Sequence, residues 1–217
     1  MKKTDSESFS LIPLIPMDIE NVSVSIELTN KILMERAEYY LNQGFEKYDS
    51  EDFLGAVADF TKAIAIVPDY AQGYYYRGVS NYDLKKHEKA INDFRKAIEL
   101  DPSFSLAFNN RGIARYDLKD YEGAIEDYTK AIEINPQFAF ALNNRGVAKF
   151  DSGKYTEAIE DYTRAIEIDP NYANAYNNRS NAKKALGDLT GAYSDFQYYI
   201  NLKNNNSGYG NNEESNI

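Results

Sequence analysis

A 34-residue period runs through this chain and limits what it can fold into more than any other feature. Pro68, Pro102, Pro136 and Pro170 each follow the last by 34 residues. Gly44, Gly78, Gly112 and Gly146 keep the same spacing, as do Ala56, Ala90, Ala124, Ala158 and Ala192. A third set is Ala63, Ala97, Ala131 and Ala165. Segments 105–138 and 139–172 are identical at 19 of 34 positions without a gap. Self-similarity of this kind implies a row of like units, each burying its apolar side against its neighbours.

Within a unit the pattern predicts two helices. In segment 105–138 the first is expected over 106–118 and the second over 122–134, with Asp117, Leu118, Lys119 and Asp120 as the turn. Pro136 stops the second helix, because proline lacks the N–H a helix needs and restricts the residue before it. Gly112 and Ala124 are small because the two helices approach closely there. Phe108, Tyr121 and Tyr128 are expected to fill the space beside them.

The absence of cysteine removes disulfides, thiolate catalysis and cysteine–zinc sites. His87 is the single histidine, which excludes a multi-histidine metal cluster within one chain. No cofactor or metal is expected. The net charge of −10 repels phosphate backbones and anionic membranes, so neither nucleic acid nor membrane is an expected partner. The apolar run Leu11 to Met17 contains Pro13 and Pro16 and is too short for a secretory core, so a cytoplasmic location is expected.

These repeating residues resemble the tetratricopeptide-repeat (TPR) family. That family's pattern has a large residue at position 4 of each unit, glycine at 8, alanine at 20 and 27, an aromatic at 24 and proline at 32. The chain supplies Tyr40, Tyr74, Phe108, Leu142 and Tyr176 at position 4, and Phe60, Phe94, Tyr128, Tyr162 and Phe196 at position 24. The resemblance implies an all-α, right-handed solenoid of helical hairpins. The array is expected over residues 29–203, with units 37–70, 71–104, 105–138, 139–172 and 173–203. Residues 1–28 are expected to be extended or disordered, with the first helix lengthened from about Leu28, and 204–217 to form a disordered tail. The fifth unit departs from the pattern through Ser180, Tyr199 and a missing proline, so the array is expected to stop there.

By the same resemblance, positions 2, 5, 6, 9, 12 and 13 face a concave groove. Position 6 holds Asn110, Asn144 and Asn178, and position 5 holds Asn109 and Asn143. An amide both donates and accepts, so such a ladder could pair with an extended peptide backbone, or bond to neighbouring helices instead. Ile113 and Val147 at position 9, and Tyr116 and Phe150 at position 12, form an expected apolar floor. Asp117 and Asp151 at position 13 add an acidic rail. The expected ligand is a protein segment with apolar and some basic side chains. The clamp by which some TPR domains hold a chaperone C-terminus needs lysine at position 5. Leu41, Tyr75, Asn109, Asn143 and Asn177 stand there instead, which argues against that ligand.

Other features have structural readings. His87 occupies a slot filled elsewhere by Phe53, Tyr121, Tyr155 and Leu189, so it reads as packing rather than a catalytic base. Gly153-Lys154 is an inter-helix turn and not a phosphate loop, because Tyr155 follows where serine or threonine is required. Arg77, Arg111, Arg145 and Arg179 could form an anion site, but the aspartates at position 23 are the expected partners. The sequence thus predicts a non-enzymatic interaction module that holds a peptide in its groove. The alternative is a self-associating scaffold that uses the terminal repeat or the N-terminal segment.

Overall fold

The computed structural model describes residues 19–207. Ten helices run α1 (Ile19–Asp49), α2 (Phe53–Ile66), α3 (Ala71–Asp83), α4 (His87–Leu100), α5 (Ser105–Asp117), α6 (Tyr121–Ile134), α7 (Ala139–Asp151), α8 (Tyr155–Ile168), α9 (Ala173–Ala185) and α10 (Leu189–Ser207). There is no strand among the described residues. The helices pair as five antiparallel hairpins, and each hairpin packs on the next. The first helices of successive units also touch, α3 with α5, α5 with α7 and α7 with α9, whereas successive second helices make no comparable contact. The row therefore curves, with the first helices on its inner side.

Each hairpin turns through one residue with positive φ: Glu51, Lys85, Lys119, Gly153 and Gly187, again 34 apart. This left-handed residue ends the first helix, and only two of the five positions use the glycine that adopts it without steric cost. Gly153 lies in this turn at φ 81°, with open space around it, as expected for a hairpin connection.

The repeating glycine has a sharper cause than general helix proximity. A Cβ placed on Gly112 would lie 2.7 Å from Tyr128 Cε1, and one on Gly78 the same distance from Phe94 Cε1. The position-24 ring lies flat against the glycine backbone, with Ala56, Ala90, Ala124 and Ala158 fully buried alongside. Close-packed interiors leave no slack for another carbon at such a contact.

Both ends differ from expectation. The first helix starts at Ile19, so residues 19–28, expected to be extended, are helical. No proline or glycine occurs between Pro16 and Gly44, and a helix nucleated downstream gains one hydrogen bond for each residue it adds. At the other end α10 continues to Ser207, through residues 204–207 of the expected tail. The remaining terminal residues, including the apolar run Leu11 to Met17, lie outside the described residues.

Candidate functional site

The inner face carries a trough along units one to three. Three adjoining depressions of about 310, 180 and 80 Å³ share their lining residues. Phe45 and Tyr76 join the first to the second, and Val79 and Asn110 join the second to the third. Tyr76 stands where later units have asparagine. Its ring meets Phe45 edge-on at 4.5 Å and stacks near Phe60 at 5.9 Å. Tyr75, beneath it, packs on Phe104 at 4.7 Å, and burial pushes its hydroxyl up to about 12. The rim is polar, with Glu38, Asn42 and Gln72.

The structure divides the expected site residues into two layers. Asn109 and Asn143 are buried, so they lie beneath the groove rather than on its surface. They serve the next unit: Asn144 Nδ2 donates to Asn109 Oδ1 at 3.2 Å, and Asn178 Nδ2 to Asn143 Oδ1 at 2.9 Å. Asn110 Nδ2 donates to the Tyr75 hydroxyl at 3.0 Å, and its own oxygen accepts from Asn109. The amide ladder therefore joins neighbouring helices. Each position-6 amide still has a second N–H, and Asn144 and Asn178 have carbonyl oxygens outside these bonds.

Ile113, Val147 and Phe150 are half-buried and pack on the core aromatics Tyr128 and Tyr162. Position 12 is a second inter-unit ladder. The Tyr48 hydroxyl donates to Asp83 at 2.6 Å, Tyr82 to Asp117 at 2.7 Å, and Tyr116 to Asp151. The series ends consistently: Phe150 has no hydroxyl where the next unit has Ala185 in place of aspartate. The acidic rail thus doubles as a set of acceptors, while its charge remains at the groove edge.

Burial first, and the aspartate acceptor second, raise the hydroxyls of Tyr48, Tyr82 and Tyr116 well above the usual phenol value. A raised folded-state value means that the folded chain holds these protons more tightly. The stability gained is complete below the unfolded value near 10 and is lost as pH rises beyond it. Denaturant melts between pH 8 and 12 should therefore show a steep alkaline decline. Replacing all three tyrosines by phenylalanine should lower stability at pH 8 and make that decline shallower. Parallel pH profiles for the two proteins would show that the ladder adds nothing.

The arginines pair as expected. Arg77, Arg111, Arg145 and Arg179 reach Asp93, Asp127, Asp161 and Asp195 at 2.5–2.7 Å. Sequence reasoning missed the second partner at position 11. Asn81, Arg115, Lys149 and Lys183 also reach the same four carboxylates. Burial alone would raise the Asp195 carboxyl, but hydrogen bonds from Arg179 and Lys183 hold it below its ordinary value. Each of these arginines is already paired with a carboxylate, which speaks against the anion-site reading. His87 packs edge-on against Tyr82 at 5.2 Å, and its Nδ1 is buried without a hydrogen-bond partner. Among the described residues there is no metal-binding cluster of acidic or histidine groups, and no helix is long and apolar enough to cross a membrane.

A tetratricopeptide-repeat family model matches residues 71–104 and 105–138, another matches 127–160, and a TPR-repeat model matches 148–187. The chain belongs to the tetratricopeptide-repeat family. A curated relative, the tetratricopeptide repeat protein 36 homolog of Nematostella vectensis, is 42% identical over 60 residues, which is 27% of this chain and 33% of the relative. The chain therefore spans about a third of that relative's length. Among solved structures, MamA matches at TM-score 0.72 and 25% identity, covering 76% of this TPR chain and 97% of MamA. YrrB, described as a TPR protein with an unusual peptide-binding site, matches at TM-score 0.65 and 21% identity over 80% of this chain and 91% of its own. The first TPR of Spaghetti (RPAP3), solved with the HSP90 peptide SRMEEVD, matches at TM-score 0.53 and 30% identity, over 54% of this chain and 93% of its own.

Position 34 also went unread in the sequence. Tyr70 lines the trough from there, and every other complete unit has an aromatic at the same place: Phe104, Phe138 and Tyr172. That regularity was a visible signal.

Proposed function

We propose that this TPR array is a protein-interaction module that holds an extended peptide in its concave trough. The observation that carries the reading is the row of three adjoining depressions that runs from Leu41 and Phe45 past Tyr76 and Val79 to Asn110 and Ile113. Its floor is apolar and aromatic, and Asp83, Asp117 and Asp151 stand along one edge. That lining suits a segment with apolar side chains and some lysine or arginine. The Spaghetti fragment with its bound peptide supports peptide holding as a use of such a fold. The acidic chaperone tail itself is not the proposed ligand. Leu41, Tyr75, Asn109 and Asn143 are buried where a lysine clamp would have to stand.

The test is a calorimetric titration of a co-purifying partner segment against three proteins: wild type, Val79→Ala, and Asn110→Ala with Asn144→Ala. Each lost ligand hydrogen bond should cost about 0.5–1.5 kcal/mol, so the double variant should bind roughly tenfold more weakly. Loss of the Val79 methyls should weaken binding as well. Both variants need melts, because these amides also join neighbouring units. Unchanged affinity in folded variants would place the interaction outside the trough.

A further inference from the structure

The last helix exposes a face that every earlier unit covers. The position-24 rings Phe60, Phe94, Tyr128 and Tyr162 are at most 2% exposed, because the next unit's first helix closes over them. In α10 the equivalent Phe196 is 41% exposed and Tyr193 is 67% exposed. Leu189, Tyr193, Phe196 and Ile200 follow one another at spacings of four, three and four. That is the seam of a two-helix coiled coil. The helix is also longer than its counterparts, at 19 residues against 14 for α2, α4, α6 and α8.

Two observations select what covers this seam. The first excludes head-to-tail stacking of copies. A helix that closes over a preceding unit has small buried residues at its positions 3 and 10: Gly73 and Ser80, Ala107 and Ala114, Ala141 and Ala148, Ala175 and Ala182. The first unit has Tyr39 and Glu46 there, both exposed, so its outer face cannot seat on another copy's α10. The second is charge. The chain carries −10, so copies repel unless they meet on a face without acids. Glu126 and Glu160 on α6 and α8 become Ser194 on α10, and Glu133 and Glu167 become Asn201. The remaining acid within α10, Asp195, is buried against Arg179 and Lys183.

We infer that α10 pairs with α10 of a second copy in an isologous, antiparallel contact, with Phe196 near the twofold axis. Antiparallel pairing about that point sets Tyr193 against Ile200 and brings Leu189 beside the stem of Lys203. The contact is self-complementary and closes at two copies, as a twofold interface must. It lies at the end of the array and is independent of whether the trough binds a peptide. One helix per copy buries less than a standard stable interface, so the dimer is a concentration-dependent one with a Kd on the order of micromolar.

Sedimentation velocity of the full chain from about 1 to 500 µM tests this. The expected result is a reversible shift from monomer to dimer and no larger species. Tyr193→Lys places two cations in the seam at a well-exposed position, and should weaken association at least roughly tenfold while circular dichroism stays unchanged. Tyr39→Ala, on the opposite end, should leave the dimer intact. A wild type that stays monomeric throughout overturns the proposal. Equal dimerisation by Tyr193→Lys overturns it too, as does growth beyond two copies, which would mean head-to-tail contact.

Discussion

Asp127→Ala should destabilise the array by about 3–5 kcal/mol, far more than an average substitution. The carboxylate is buried, and Arg111 and Arg115 reach it from successive turns of α5 at 2.5 and 2.9 Å. Removing it strands the Arg111 guanidinium, with only 14% of its side chain exposed, and leaves Arg115 with Asp120 at 3.8 Å and the Gly123 carbonyl at 3.1 Å. The cost is mainly that of the unpaired charge and not of the lost attraction, and this makes the controls informative. Arg115→Met removes one cation and keeps its stem packing. It leaves the Arg111 fork in place and should cost about 1 kcal/mol or less. The double change Arg111→Met with Asp127→Ala should be milder than Asp127→Ala alone, because no charge is then left without a partner in that fork. Urea melts followed by circular dichroism report all three. Because repeats couple only to their neighbours, a defect in the third unit should also broaden the transition or split it. A loss under 1 kcal/mol for Asp127→Ala would show that water already serves these arginines.

This cluster marks where the sequence was legible and where it was not. Arg111 and Asp127 could be paired from the sequence because arginine recurs at position 7 and aspartate at position 23 in four consecutive units. Position 11 reaches the same carboxylate but holds Lys47, Asn81, Arg115, Lys149 and Lys183. A shared role is hidden there by chemical variety, since any donor on a flexible stem can fill it. The Tyr116–Asp151 bond was hidden differently. Its partners are 35 residues apart, one repeat plus one residue, so they look adjacent within a unit while the bond runs between units. The same offset joins Asn144 to Asn109. A periodic sequence shows which positions matter but not which copy each side chain serves, because that depends on the rotation between units. The helix start at Ile19 was missed for a local reason. Val22, Ser23, Val24 and Ser25 are indifferent helix formers, and their helicity derives from the turns that follow.

Gly112→Ala should destabilise by about 1–3 kcal/mol, although alanine is ordinarily the better helix former. The new methyl would stand 2.7 Å from Tyr128 Cε1, 2.9 Å from Cδ1 and 3.1 Å from Cζ. A ring that is 2% exposed has nowhere to swing, so the two helices must part. Tyr128→Ala alone should cost about 3–5 kcal/mol through the cavity it leaves. The double variant is the decisive member of the cycle. With the ring gone, the methyl at position 112 no longer collides, partly fills the void and restores alanine's helix preference. The double variant should therefore be no less stable than Tyr128→Ala, with a coupling of about 1–3 kcal/mol. The fifth unit already carries half of this experiment. Ser180 replaces the glycine, its hydroxyl donates to the Ala192 carbonyl at 2.7 Å, and the matching ring, Phe196, is 41% exposed. Additive losses in the double variant would show that the glycine is required for backbone approach alone and that the ring does not set the spacing of the hairpin.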